Sequence, residues 1–79
     1  MRILFFAHLK TAANCATAEL HVDGEIDADH LWERLLTRFP ELTRYRRSVR
    51  FARNGTYAVA STRFSDTDEV ALIPPVSGG

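Results

Sequence analysis

Residues Ile3 to Ala7 are apolar at every position and rich in aromatic and branched side chains. That pattern predicts a strand covered on both faces, or a central strand with one partly exposed side. Residues 11–17 are small and aperiodic and are expected to form a loop. Ala18, Leu20 and Val22 alternate with Glu19, His21 and Asp23, which predicts a half-buried strand ended by Asp23-Gly24.

The period then changes. Leu31, Leu35 and Phe39 recur every four residues, and Trp32 and Leu36 widen the stripe. Asp27 is placed to cap this helix by accepting backbone N–H bonds, and Asp29 suits the dipole of its first turn. Pro40 disfavours helical geometry at Phe39, so the helix is expected over 28–38. Val49 and Phe51 alternate with Arg50 and Ala52, and residues 57–60 read as a further strand. The Asn54-Gly55 pair between them predicts a tight hairpin, because both residues accept positive φ. Phe64 is a lone apolar anchor, residues 65–68 form a turn, and Glu69 to Ile73 form a last strand stopped by Pro74-Pro75. The order strand, strand, helix, hairpin, strand predicts an α+β roll in which one helix covers a mixed sheet. The first strand, being the most apolar, is expected at the centre.

Composition narrows the class. The 79 residues allow one domain, 1–79, with a flexible tail at 74–79. A hydrophobic share of 46% with 25% charged residues argues against intrinsic disorder. Ten basic residues balance ten acidic ones, which disfavours a DNA-coating protein. No run approaches a membrane span, and the apolar start is too short for a secretory leader. Cys15 is the single cysteine, so stability rests on packing, as suits a cytoplasmic chain in a reducing compartment.

A self-contained catalytic set is missing. Cys15 has no local His or Asp, and a bland cysteine is expected rather than a nucleophile. His8, His21 and His30 are scattered without metal-ligand spacing, so no metal site is expected. Asp66, Asp68 and Glu69 lack the spacing and length of a calcium loop. Residues 34–53 hold Arg34, Arg38, Arg44, Arg46, Arg47, Arg50 and Arg53 against Glu41 alone, whereas residues 19–33 hold six acids and no Lys or Arg. With Tyr45 and Phe51 interleaved, that run is open to three readings: a solvated face, a docking surface for an acidic partner, or a nucleic-acid strip.

The end of the chain is the most informative segment. Pro74-Pro75 stiffens the exit from the last strand, and Val76, Ser77, Gly78 and Gly79 are slim enough to thread a narrow channel and deliver a carboxylate into another protein's pocket. The ending from Asp68 to Gly79 resembles that of the small subunits of molybdopterin synthase, which are ubiquitin-like sulfur carriers. Ile3 to Ala7 and the Asn54-Gly55 hairpin fall where those proteins have similar features.

The resemblance implies a β-grasp fold. It also implies a non-catalytic, sulfur-donating role in a sulfurtransferase complex, a two-plus-two assembly with the large subunit of molybdopterin synthase. An ATP-dependent activating enzyme, using ATP and magnesium, would adenylate Gly79. A persulfide would then leave a C-terminal thiocarboxylate, which donates sulfur for the molybdopterin dithiolene. No cofactor is expected on this chain itself, and neither nucleic acid nor membrane is expected as a partner. Strand alternation puts Ile73 outward if Leu72 faces the core. Phe6 and Tyr57 are its expected neighbours in a patch for the large subunit. Besides a small nucleic-acid-binding module using the arginines between 34 and 53, two other functions compete. One is a sulfur carrier for thiamine, cysteine or tRNA thiolation; the other is a ubiquitin-like modifier joined through Gly79 to lysines.

Overall fold

The computed structural model describes residues 1–74. Along the chain come β1 (Arg2–Phe5), α1 (His8–Ala13), β2 (Thr17–Glu19), β3 (Glu25–Ile26) and α2 (Ala28–Arg38), followed by a 3-10 helix (Pro40–Tyr45). After these come β4 (Arg50–Arg53), β5 (Thr56–Tyr57), β6 (Phe64–Ser65) and β7 (Glu69–Ile73). Five strands form one sheet in the order β2-β1-β7-β4-β5, and β3 pairs with β6 beside it. β1 and β7 run parallel while the other neighbours are antiparallel, so the sheet is mixed. One main helix packs on this sheet in a β-grasp α+β roll.

Local chemistry explains the main helix. The Asp27 carboxylate accepts the His30 N–H at 2.8 Å, satisfying an otherwise orphaned donor of the first turn. Leu31, Trp32 and Leu35 are buried on the face turned to the sheet. Ile3, Phe5, Phe51, Val70 and Leu72 meet them from the strands. The Trp32 and Phe51 rings lie 4.8 Å apart, and Phe51 meets Phe64 edge-on at 5.6 Å. Each such side chain contributes about 1.5–3 kcal/mol through burial.

Three expectations need correction. Residues 11–17 are not all loop, because α1 occupies His8–Ala13. Leu9 and Ala13, one helical turn apart, are both buried, and Asn14 closes the helix at φ 60. β7, not β1, holds the middle of the sheet; β1 lies one place from it. The last strand has two partners to satisfy, and the first has β2 on its other side. Finally, Phe64 is not isolated. It sits in β6 against Ile26 of β3, completely buried.

Strand lengths also differ. Alternation over 18–22 yields only a short β2, yet Leu20 and Val22 remain buried. Their backbone N–H groups bond instead to the Met1 carbonyl at 2.9 Å and the Asp66 carboxylate at 2.9 Å. The run at 57–60 keeps strand pairing only through Tyr57. Pro40 ends α2 as expected and also starts the 3-10 helix, where its missing N–H costs nothing.

Candidate docking face and chain exit

The sheet has a covered face and an open one. Ile3 and Phe5 point inward from β1, so Leu4 points outward, and Phe6 just beyond the strand is 44% exposed. On β7, Val70 and Leu72 are fully buried, which turns Ala71 and Ile73 to the open side. Register brings these residues together. Leu4 lies opposite Ala71, Ala71 opposite Ala52, and Ala52 opposite Tyr57. Ile73 lies opposite Arg50 in the last pair before Pro74.

The result is a shallow apolar depression of about 320 Å³. Ala52 and Ala71 form its low floor, while Leu4, Phe6, Tyr57 and Ile73 stand around it. Tyr57 is 52% exposed, and the Arg50 guanidinium lies over its ring, 4.4 Å from the centroid. A cation over an aromatic face is held by the ring quadrupole. A contiguous apolar patch framed by polar groups is the usual form of a protein contact site.

Phe6, Tyr57 and Ile73, expected as one patch, all border this depression. Leu4, Ala52 and Ala71 were missed, and Arg50 had been named only as one of the arginines between 34 and 53. The alternation of β1 already carried the signal for Leu4. The other three depend on which strands pair, and a single sequence does not state that. Pro75, Val76, Ser77, Gly78 and Gly79 lie outside the described residues.

The remaining candidates are dispersed. His8 stacks near Tyr45 with ring centroids 4.9 Å apart. His21 contacts Asp23 and Asp66, while His30 contacts Asp27 at 2.7 Å. Among the described residues, no three His, Cys, Asp or Glu side chains converge as a metal-binding group. Cys15 is half-buried and packs against the core. The arginine run does not form one strip either. Arg34 donates to the His21 carbonyl at 2.7 Å, Arg38 to the Glu19 carbonyl, and Arg53 to the Arg63 carbonyl at 2.6 Å.

Asp66 and Asp68, whose pKa values are displaced, are not among the residues that line the apolar patch. The Val22 N–H and the Met1 ammonium hold Asp66 below the usual carboxylate range. Desolvation pushes Asp68 upward, but the Ser65 N–H, the Asn54 amide and the Arg53 charge together hold it below its ordinary value. These groups pin loops rather than serve as acids or bases.

Comparison with known proteins places this geometry. A family profile described as ThiS family matches residues 3–79. The chain belongs to the ThiS family. A relative of this ThiS-family chain from Drosophila melanogaster, named molybdopterin synthase sulfur carrier subunit, is 38% identical over 82 residues, covering 100% of this chain and 90% of that protein. A human protein of the same name is 32% identical over 82 residues, covering 100% of this chain and 93% of its own length. The crystal structure of SAMP1 from Haloferax volcanii, a small archaeal modifier protein, superposes with a TM-score of 0.84 at 31% identity. That match covers 100% of this chain and 98% of the archaeal one. No helix among the described residues of this ThiS-family chain is long and apolar enough to cross a membrane.

Proposed function

We propose that this ThiS-family chain is the sulfur carrier of a molybdopterin synthase and that Gly79 bears the sulfur. The observation that carries the reading is the apolar face running from Leu4 to Ile73, which ends just before Pro74 and the Gly-Gly end of the sequence. Relatives named as sulfur carrier subunits, which match across all of this chain, support it. A chain without a convergent catalytic set needs a partner to do chemistry on its terminus, and this face supplies the contact.

The proposed chemistry begins with a carboxylate, a poor electrophile. A partner activating enzyme uses ATP and magnesium to join the Gly79 carboxylate to AMP, releasing pyrophosphate. A persulfide then displaces AMP, and a thiol cleaves its S–S bond, leaving a thiocarboxylate. The thiocarboxylate is the sulfur nucleophile. Phe6, Tyr57 and Ile73 seat the carrier on the large subunit, so that Pro75, Val76, Ser77, Gly78 and Gly79 enter its pocket. Glycine at the last two positions removes the side chains that would block a narrow channel. We place the exchange in the cytoplasm, where one unpaired cysteine stays reduced.

Intact-mass measurement tests this reading. Co-expression with the activating enzyme is expected to exchange one oxygen for one sulfur in this chain. Deletion of Gly79 abolishes the exchange and leaves the circular dichroism spectrum unchanged. A second reading, supported by the likeness to SAMP1, is a protein modifier joined to lysines through Gly79. Adducts heavier by a whole protein would favour it over the carrier.

A further inference from the structure

The arginine run divides into satisfied and unsatisfied members. Arg34, Arg38 and Arg53 donate to backbone carbonyls, and Arg46 lies 3.5 Å from the Asp29 carboxylate. Arg44, Arg47 and Arg50 are exposed and have no carboxylate or carbonyl partner among the described residues. These three share one end of the molecule. Arg50 opens β4 opposite Ile73, the last residue of β7, so the segment before Arg50 passes the same sheet end as Pro74. Val49 and Ser48 bond back to the Tyr45 carbonyl at 3.0 Å, which keeps Arg44 and Arg47 close to that end.

The opposite end of the open face has the opposite charge balance, with two carboxylates to one cation. Arg2 lies between Glu19 of β2 and Glu69 of β7, each its direct cross-strand partner. The face therefore has an acid-rich row at one end, apolar rows in the middle and an uncompensated cation at the chain exit. Arg50 is also oriented, because its guanidinium lies over the ring of Tyr57, a residue that lines the apolar depression.

We infer that the protein receiving this chain's C-terminal segment presents a carboxylate beside an apolar surface, and that Arg50 pairs with it. Arg44 and Arg47 add field of the same sign around the exit. This inference rests on the carrier reading and specifies its interface: apolar contacts hold the complex, and the cationic end orients it so that the tail faces the opening. Charges at the rim of an interface act mainly on the association rate and its salt dependence.

Association kinetics with the recombinant large subunit of molybdopterin synthase test it, using the full chain. Arg50→Glu is expected to slow association about tenfold at low ionic strength, and the difference closes as salt screens it. Arg50→Met, which keeps an apolar stem over Tyr57, lies between wild type and Arg50→Glu. Arg2→Met, on the same face, stays near wild type. Circular dichroism confirms that all variants fold.

Wild-type rates for Arg50→Glu, a salt-independent loss, or an equal effect of Arg2→Met would each overturn the inference and leave the carrier reading standing. Failure of the wild-type chain to bind removes both readings. Salt-sensitive binding of single-stranded RNA that Arg50→Met abolishes, with large-subunit binding unchanged, reassigns the cations to nucleic acid and overturns the inference too.

Discussion

Asn54 and Asp68 lock the hairpin to the start of β7. The Asn54 side-chain amide donates to Asp68 Oδ1 at 3.0 Å, and its carbonyl oxygen accepts the Glu69 N–H at 2.9 Å. Asn54 also sits at φ 50, next to Gly55 at φ 88, as a two-residue turn between paired strands requires. One residue therefore supplies both the turn conformation and the cross-link. Asn54→Gly keeps the turn and loses the side-chain bonds, so urea unfolding is expected to show a loss of about 1 kcal/mol. Asn54→Ala adds the left-handed backbone penalty and is expected to cost roughly 1 kcal/mol more.

Neighbouring residues of β7 should respond oppositely. Leu72 is fully buried, and Leu72→Ala is expected to cost about 2–5 kcal/mol of stability by opening a cavity. Ile73 faces the open side, so Ile73→Asp is expected to leave the fold intact and abolish retention of the large subunit in a pull-down. Undiminished retention would remove Ile73 from the docking face.

Acid is expected to unfold the chain by a defined route. Asp27, Asp66 and Asp68 all have folded pKa values below the ordinary 3.8. A depressed folded pKa stabilises above the unfolded value, and that stability is lost as pH falls through the folded value. Urea midpoints should therefore decline below about pH 4, and Asp66→Asn should make the decline shallower. His30 has the opposite sign. Its hydrogen bond to Asp27 raises its pKa above 6.5, so its contribution is complete below 6.5 and disappears as pH rises through the raised value. An NMR titration of His30 is expected to move toward 6.5 in Asp27→Ala.

The junction between β1 and α1 carries backbone strain. Ala7 has φ 51 and ψ −133, a region that side chains strongly disfavour. Its carbonyl accepts the Lys10 N–H at 3.1 Å, so the conformation starts the helix. Ala7→Gly is expected to stabilise the chain by about 1 kcal/mol, because relief of strain exceeds the extra chain entropy of glycine. A melting temperature at or below that of wild type would contradict this.

Legibility followed locality. The span of α2 was readable because the Asp27 cap, the Leu31–Leu35 spacing and the Pro40 stop all act within a few residues. The Asn54-Gly55 turn was readable for the same reason. α1 was hidden because only Leu9 and Ala13 are buried in it and no side chain caps its start. The position of β7 was hidden because strand order depends on distant pairings, such as Leu4 with Ala71 and Ala52 with Ala71. For the same reason Ile73 could be picked by alternation, while the place of Arg50 beside it, unlike that of the other arginines, emerged only once its opposite number was known.

The central place of β7 has a mechanical consequence. A pull on the chain beyond Pro74 runs along β7 and is shared by two flanking ladders, to β1 and to β4, instead of peeling one strand from an edge. Shearing must break many bonds together, whereas unzipping breaks them singly. A partner that grips the far end can thus tug, shift and release it over repeated cycles while the body stays whole, as a rope made fast amidships bears a strain that would tear away a rail.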